Sequence, residues 1–444
     1  MRILIDGRFI GVGESISRYT LEVVKGILEL DKKNEYALLV RPQGKKTATE
    51  FLSRPEHIRQ AQYKLCEGSR DSSPKAQNDK DVFASEVKQS TKKLPSNLHL
   101  KVLDIAHYSL LEQTKLLKYL NKEKYDLVHF TQFNHPVRYK GKFVVCIHDL
   151  TLLGHLYRMN PLKRLGFRAV MKSAVKNSTK IITISEYSKK DIVKTYGADP
   201  GKIEVTYLGI DEKFCQEVRS GKQEIRRFKG KYNIIGDYIL YTGMWKRHKN
   251  IIRMLKAYEL YLKKQITRNK SQTNSKLQIP NIQLVMVGKI DQNEPEVIKT
   301  INDINNRFCH SERSEESCGL KKDRCNPIVT TGYVDEDELP IAYAGALFYC
   351  IPSLSEGFGL PPLEAMACGT PVISSKISAM PEILGDAVEY FDPYSVDDIA
   401  KTMEKVAGDE KLREQLSKKG LERVKKYSWP KTAEETLKVY RSVQ

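Results

Sequence analysis

Strand-like and helix-like segments alternate along most of this 444-residue chain, and this alternation constrains its fold more than any other feature. In the first half, short apolar runs such as RILIDGRF and YDLVHF alternate with helical patterns such as SRYTLEVVKGILELD. A polar, charged segment near residues 212–236 interrupts the series and is predicted to be an interdomain linker. The alternation then restarts at DYILYTGM and continues to PVISS. Strands joined by helical crossovers form mostly parallel sheets that are covered on both faces.

We therefore predict an α/β fold with two Rossmann-like, doubly wound parallel-sheet domains that face a central cleft. A single core does not usually extend over a chain of this length. The first predicted domain covers 1–225 and the second covers 226–430. Three polar stretches, about 67–97, 266–280 and 310–326, break the pattern and are predicted to be surface insertions or disordered loops.

The net charge of +19, from 74 Lys and Arg against 55 Asp and Glu, favours anionic partners such as acidic lipid or phosphorylated ligands. No nucleic-acid-binding motif accompanies the charge, so we expect no specific nucleic-acid partner. No apolar run approaches the ~18 residues of a membrane span, and MRILIDGRFI is typical of a first strand and not of a signal peptide. We expect a cytoplasmic protein.

The eight cysteines contain no CxxC pair, which favours reduced thiols over a disulfide framework. Cys309, His310, Cys318 and Cys325 crowd one segment, but their spacing is unlike that of a zinc finger. We expect no metal site.

The stretch SEGFGLPPLEAMACGTPVISS, residues 355–375, combines two carboxylates with glycines and a helix start. The carboxylates of Glu356 and Glu364 can each accept paired hydrogen bonds from neighbouring sugar hydroxyls. Gly357 and Gly359 let the backbone approach a phosphate. Either glutamate alone is more often a solvated or capping residue, but the combination predicts a nucleotide-sugar site.

Two histidines come at the ends of predicted strands. His148, beside Asp149, follows FVVC, and His129 lies near the end of YDLVHF. In open α/β sheets this edge faces the ligand, so His148 could donate to a substrate hydroxyl or stabilise developing charge. The alternative is a histidine hydrogen-bonded within its own loop. His129 is the weaker candidate, for an acceptor site.

Cations follow the strand DYILYTG and precede a helix: Lys246, Arg247, His248 and Lys249. Cations beside a helix N-terminus suit a diphosphate, although exposed basic loops are common. A glycine turn at 11–13 gives a similar, weaker indication after the first strand.

These segments resemble a GT-B glycosyltransferase of the retaining family four type, in the bacterial branch that includes mannosyltransferases. The segments that carry the resemblance are ILIDGRF, VCIHDL, ITISEYSKKDIVKTYG, VTYLGID, ILYTGMWKRHKN, TGYV, SEGFGLPPLEAMACGTPVISS, SAMPEILGDAVEYFDP and SWPKTAEETLKVY. In this fold the first domain is the acceptor side and the second binds the nucleotide-sugar. The last segment implies that 431–444 form a helix that crosses back to the first domain.

The resemblance implies a role for each candidate residue. His148 and Glu356 would be catalytic, His148 beside the transferred sugar and Glu356 near its reacting centre. The implied donor-binding residues are Gly13, which leaves room for the diphosphate; Lys249 and Arg247, which bind it; Glu364, which binds the ribose; Phe358, Gly359 and Leu360, whose amides face the donor; and Tyr333 and Val334, near the base. Met244 and His248 stand where many members carry arginine, which leaves the second cation open.

The implied reaction moves a hexose, mannose or glucose, from a nucleoside-diphosphate sugar to a glycan or lipid-linked acceptor, with retention of anomeric configuration and without a metal. The alternatives are an epimerase or hydrolase of the same fold and a non-catalytic nucleotide or polyanion binder. Residues 155–180 carry seven Lys or Arg and no acid, which suits the inner face of an anionic membrane. A core-packed helix with a solvated basic face explains the pattern equally well.

Overall fold

The computed structural model describes residues 1–12, 14–53, 93–151, 153, 160–216, 221–272, 282–289, 294–309 and 326–443. Most of the stretches predicted at 67–97 and 310–326 lie outside these residues, and so does Gly13. The chain divides into two compact units: unit 1 is Met1–Gly209 with Tyr427–Gln444, and unit 2 is Ile210–Lys426. The boundaries predicted from sequence, 225/226 and 430/431, lie slightly further along the chain.

Unit 1 contains a seven-stranded parallel sheet with the strand order β3-β2-β1-β4-β5-β6-β7. The strands are β1 Arg2–Asp6, β2 Glu35–Val40, β3 Leu98–Val102, β4 Leu127–Phe130, β5 Phe143–Cys146, β6 Lys180–Thr183 and β7 Ile203–Val205. The helices are α1 Glu14–Leu30, α2 Pro42–Leu52, a π-helical turn Glu112–Leu116 that leads into α3 Leu117–Glu123, α4 Pro161–Asn177, α5 Glu186–Tyr196, a 3-10 turn Pro200–Lys202 and the closing helix Trp429–Ser442.

Unit 2 contains a six-stranded parallel sheet with the order β10-β9-β8-β11-β12-β13. Its strands are β8 Asp237–Thr242, β9 Ile282–Val287, β10 Ile328–Gly332, β11 Phe348–Ile351, β12 Val372–Ser375 and β13 Glu389–Phe391. Its helices are α6 Glu212–Gln216, α7 Lys222–Lys231, a 3-10 turn Arg247–Lys249, α8 Ile251–Gln272, α9 Pro295–Cys309, α10 Leu339–Ala344, α11 Leu360–Ala367, α12 Met380–Leu384, α13 Val396–Gly408 and α14 Glu410–Val424.

The apolar runs of the sequence form the centre of each sheet. All four residues of β4, β5, β11 and β12 are buried, as expected of parallel strands that are covered on both faces. In each sheet the strand order reverses beside the first strand, between β1 and β4 and between β8 and β11. The crevice outside the carboxyl ends of two such strands is the usual ligand site of an open α/β sheet. No helix within the described residues is long and apolar enough to cross a membrane.

Two sequence-based predictions require correction. The segment 212–236 is not a linker, because its helices α6 and α7 pack within unit 2. The contacts are made by aromatic residues of the segment. Phe214 is buried edge-on to Tyr343, with ring centroids 5.8 Å apart, and Phe228 is also buried. The predicted insertion at 266–280 begins as helix, because α8 continues to Gln272.

The closing helix packs against α1 in unit 1. A Cβ atom at Gly26 of α1 would lie 2.5 Å from the Cβ of Ala433, so the glycine sets how closely the two helices approach. The hydroxyl of Thr432 donates to the carbonyl of Tyr207 at 2.6 Å and joins the start of the helix to the segment that follows β7. The last helix therefore completes a core that begins with the first one.

Gly26→Ala should destabilise unit 1 although alanine is the better helix former. The methyl group has no room beside Ala433, and overpacking of this kind costs about 1–3 kcal/mol, more than the ~1 kcal/mol gained in helix propensity. Urea unfolding of the full chain measures the change. Gly166→Ala is the matched control, because a Cβ there meets no atom within 4 Å in α4. Equal stabilisation by both substitutions would contradict this account of the helix contact.

Candidate active-site residues at two sheet edges

Glu356 and Lys249 form an ion pair where the strand order of unit 2 reverses. Lys249 follows β8, Glu356 follows β11, and the Lys249 Nζ to Glu356 Oε1 distance is 2.6 Å. The Ser353 hydroxyl donates to the same carboxylate oxygen at 2.6 Å, and the Glu356 backbone N–H donates to the Ser378 hydroxyl at 3.0 Å. The side chains are 22% and 13% exposed, so the pair is shielded but within reach of a ligand.

Asn250 fixes the loop that carries Lys249, and sequence reasoning missed it. Its backbone is left-handed, with φ of 57°, between the 3-10 turn and α8. Its side-chain amide donates to the carbonyls of Pro352 and Pro393 at 3.0 and 2.8 Å. Asparagine tolerates left-handed backbone better than most residues. An asparagine just before a predicted helix was the available signal.

Arg247, in the same turn, is exposed. Its backbone carbonyl accepts from the Asn250 N–H at 3.1 Å, but its guanidinium makes no hydrogen bond or ion pair with any part of the chain that the structure describes. Lys249 is therefore neutralised by Glu356, whereas Arg247 carries a charge that remains available to an anion. The loop predicted to bind an anion therefore contains two cations in different surroundings: Lys249 is paired, and Arg247 is exposed.

Glu364 lies in α11 and is 5% exposed. The Tyr343 hydroxyl donates to its Oε2 at 3.1 Å, and the hydroxyls of Tyr343 and Tyr349 lie 2.9 and 3.2 Å from that of Thr242. Burial is the main cause of the raised pKa of Tyr349, and the charges of Glu356 and Glu364 each add to it. Both predicted carboxylates thus lie around one buried tyrosine.

The loop before α11 contains left-handed backbone at Gly359, a conformation that glycine adopts readily. Gly359 has φ of 91°, and a Cβ there would lie 2.5 Å from the Cε of Met380. Phe358 is buried, and Leu360 begins the helix. In the first turn of α11 only Leu360 and Leu363 carry a backbone N–H, because Pro361 and Pro362 have none. The Leu360 N–H lies between the two glutamates in the chain and has no preceding helical turn to bond.

Tyr333 and Val334 follow β10, which lies two strands away from β8 in the sheet. The Tyr333 side chain is 61% exposed, whereas Val334 is buried. Their predicted contact with a nucleobase stays a prediction. The geometry gives this edge of the sheet an exposed aromatic ring.

In unit 1, His148 follows β5 and is held by its neighbours. Its Nε2 donates to the Thr131 carbonyl at 3.0 Å, and its ring packs edge-on to Tyr19 with centroids 4.8 Å apart. Burial lowers its pKa, although the Thr131 carbonyl and the Asp149 carboxylate oppose the shift. Because a carbonyl only accepts, Nε2 carries the proton, and Nδ1 of the neutral ring is an acceptor.

His129 has a structural role instead of the predicted acceptor-binding one. It is fully buried in unit 1, its Nδ1 lies 2.6 Å from the Tyr440 hydroxyl of the closing helix, and its Nε2 lies 3.0 Å from Cys146 Sγ. Burial lowers its pKa to about 3, with the nearby His148 adding to the shift. Both ring nitrogens are occupied, so no edge of the ring remains for a substrate.

Comparisons with known proteins identify the family. Residues 222–423 match the family described as "Glycosyl transferases group 1", and residues 76–214 match the one described as "Glycosyltransferase Family 4". The chain belongs to the glycosyltransferases of these two groups. Within the second match, residues 76–92 lie outside the described residues.

The glycosyltransferase is 26% identical over 373 residues to O-antigen chain mannosyltransferase B of Escherichia coli, covering 84% of this chain and 87% of that protein. It is 29% identical over 253 residues to the serotype-specific mannosyltransferase WbdA of Escherichia coli. That match covers 57% of this chain and 27% of WbdA, so the chain spans about a quarter of this relative.

A solved structure shows the fold. The crystal structure of HepE from Anabaena, in complex with UDP and glucose, matches with a TM-score of 0.65 over 100% of both chains at 13% identity. The glycosyltransferase therefore has the two-domain GT-B fold, as predicted from the sequence.

The buried histidine of β4 should make unit 1 sensitive to acid. The pKa of His129 is about 3 in the folded state against an ordinary 6.5, so the unfolded chain binds the proton first. Its contribution to the free energy of unfolding is complete above pH 6.5 and is lost as the pH falls toward 3. His129→Gln should reduce the slope of that free energy against pH by up to ~1.4 kcal/mol per pH unit in this window.

Urea unfolding at a series of pH values measures the slope, and hydrogen exchange of the β4 amides assigns it to unit 1. Tyr440→Phe is the matched control, because it removes the hydrogen bond to His129 and keeps the titrating ring. It should lower stability at every pH and leave the slope unchanged. The same slope in His129→Gln and the wild type would contradict the burial argument.

Proposed function

We propose that this glycosyltransferase moves a hexose, mannose or glucose, from a nucleoside-diphosphate sugar to a glycan or lipid-linked acceptor with retention of anomeric configuration. Synthesis of a cell-surface polysaccharide or glycolipid is the process that fits. The mannosyltransferase relatives support mannose as the transferred sugar. The UDP and glucose bound by HepE support a nucleoside-diphosphate sugar as the donor.

The ion pair of Lys249 with Glu356 is the observation that carries the proposal. A diphosphate and the Glu356 carboxylate are competing anions for the same ammonium group. When the donor binds, its phosphate takes Lys249, and Glu356 is released to accept hydrogen bonds from the transferred sugar. Arg247, whose charge is available, is the second cation for the leaving diphosphate. Donor binding and placement of the catalytic carboxylate are thereby coupled.

The buried carboxylate of Glu364 suits the ribose. The Tyr343 hydroxyl donates to one of its oxygens, which fixes the orientation of the carboxylate. In this orientation the carboxylate can accept hydrogen bonds from the two ribose hydroxyls. The amides of Phe358, Gly359 and Leu360 lie against the donor, and Tyr333 with Val334 lies beside the base. In the first domain, Gly13 leaves room for the diphosphate.

Retention follows from attack on the face from which the nucleoside diphosphate leaves. The acceptor hydroxyl passes its proton to a donor phosphate oxygen, while the cations stabilise the leaving group. His148 assists beside the sugar, with Nδ1 as the ring atom that is not used by Thr131. Because two side-chain cations neutralise the diphosphate, the reaction needs no metal, and EDTA should leave the rate unchanged.

Glu356→Gln and Glu364→Gln should separate turnover from donor binding. Glu356→Gln removes the competitor of the diphosphate, so the donor Kd should stay the same or decrease while kcat falls on the order of 100-fold. Glu364→Gln should raise the donor Kd by roughly 10- to 100-fold, the usual effect of losing a charged hydrogen bond. Calorimetry and steady-state kinetics measure the two effects.

Glu389→Gln is the matched control, because Glu389 forms an exposed ion pair with Lys405 at the first residue of β13, away from the strands' carboxyl ends. A thermal-shift screen against GDP-mannose, UDP-glucose and ADP-glucose selects the donor, since a ligand that binds only the native state raises the Tm. NMR of the product reports its anomeric configuration. Near-normal transfer by both glutamate variants, or an inverted product, would contradict the proposal.

We also propose that α4 attaches the enzyme to anionic lipid. Leu162 and Leu165 are 79% and 68% exposed near its start, whereas Phe167 and Met171 pack into the core. The helix carries five cations and no acid: Lys163, Arg164, Arg168, Lys172 and Lys176. Exposed leucines among cations suit an interface with acidic headgroups. An acceptor with a lipid anchor would then be presented at the inner face of the membrane.

The variant Leu162→Ser/Leu165→Ser should lose binding to vesicles of phosphatidylglycerol and phosphatidylcholine, measured by co-sedimentation. Leu30→Ser is the control, because Leu30 is 51% exposed at the end of α1 in the same unit. High salt should weaken binding by the wild type. Equal binding to vesicles of pure phosphatidylcholine, or no effect of the double substitution, would refute the attachment through α4.

A further inference from the structure

Tyr108 combines an exposed ring with an unusual backbone. It lies in the loop after β3, its side chain is 57% exposed, and its φ is +56°. A bulky residue rarely adopts left-handed backbone, because its Cβ crowds the following carbonyl. Such strain persists only where the surrounding structure enforces it, and it is concentrated at functional sites.

A buried ion cluster holds this conformation. The Tyr108 backbone N–H donates to Glu112 Oε2 at 2.8 Å, and the other Glu112 oxygen pairs with Arg8 at 2.9 Å. Arg8 also pairs with Asp6 at 2.8 Å and is fully buried. Its Nη1 has no hydrogen-bond partner among the described residues. A buried guanidinium with an unused donor is costly, so the cluster is not explained by stability alone.

The same cluster is connected to the predicted catalytic histidine. The Thr131 hydroxyl donates to the Asp6 carbonyl at 2.6 Å, and the Thr131 carbonyl accepts from His148 Nε2 at 3.0 Å. Tyr108, Arg8, Thr131 and His148 follow β3, β1, β4 and β5, so all four lie at the carboxyl edge of one sheet. One continuous set of contacts therefore orients His148 and presents the ring of Tyr108.

The surroundings of Tyr108 are apolar. The Tyr108 ring lies against that of Phe133, with centroids 5.9 Å apart, and Leu110, two residues further along the chain, is 84% exposed. Phe9, in the turn after β1, stacks on His107, which precedes Tyr108 in the chain. An aromatic ring with an apolar margin and one hydroxyl matches a sugar ring, which has an apolar face and a polar rim.

We propose that Tyr108 is a stacking platform for a sugar ring of the acceptor and that Arg8 and Glu112 position it. The inference rests on the proposed transfer to a glycan acceptor and names the surface of unit 1 that receives it. Tyr108 acts in binding, beside the hydroxyl that His148 serves, and takes no part in the chemical step.

Tyr108→Asn tests the platform, because asparagine accepts the left-handed backbone and lacks the ring. The urea midpoint should stay the same or rise, while the KM for octyl α-D-mannopyranoside with GDP-mannose should increase at least 10-fold. The donor Kd and the rate of donor hydrolysis without acceptor should not change. Tyr108→Phe keeps the ring and should have a KM within about twofold of the wild type.

Lys124→Asn is the matched control. Lys124 also has left-handed backbone, with φ of 50°, but it follows α3 and precedes β4, at the opposite edge of the sheet. The urea midpoint of Lys124→Asn should also stay the same or rise, and its KM for octyl α-D-mannopyranoside should not change. An unchanged KM in Tyr108→Asn would overturn the platform, and a loss of vesicle binding there would assign the ring to lipid.

Saturation-transfer NMR with octyl α-D-mannopyranoside separates this proposal from the proposed function. Wild-type binding of this glycoside that is lost in Tyr108→Asn supports the platform even if GDP-mannose is not the donor. Equal saturation transfer in both proteins, or none in the wild type, would refute the platform. Donor-dependent activity of the wild type tests the proposed function separately.

Discussion

Parallel strand pairing is the constraint on which the rest of this structure depends. Because every strand of a unit runs in the same direction, all the loops that follow the strands emerge at one edge of the sheet. Residues distant in sequence therefore become neighbours without special arrangement. Lys249 and Glu356 meet across 107 positions in unit 2, and Asp6 meets Thr131 across 125 positions in unit 1.

The two edges handle charge differently. In unit 2, the Lys249–Glu356 pair is partly exposed, so a stronger anion can replace the carboxylate at modest cost. In unit 1, Arg8 is buried between two carboxylates, and breaking that cluster would leave an uncompensated charge in the core. The first arrangement suits exchange of ligands, and the second suits a rigid support. Each fits the task proposed for its edge.

The elements that sequence predicted best are those with local causes. Apolar runs gave the parallel strands, and glycine with proline marked the loop before α11. His129 could not be understood in this way, because its partner Tyr440 lies 311 positions further along the chain. The segment 212–236 was misread as a linker because two buried phenylalanines anchor an otherwise polar stretch. The backbone of Tyr108 was also invisible, since nothing in residues 106–112 marks a left-handed turn.

The closing helix has a consequence for how the chain is made. Unit 2 is inserted between the two parts of unit 1, so the ribosome completes unit 2 before it supplies the helix that covers α1. During synthesis, the face around Gly26 stays open while more than two hundred later residues emerge. A nascent chain in this condition is a natural client for chaperones that shield apolar surfaces. Emergence of this helix, not folding of the first sheet, is then the event that seals unit 1.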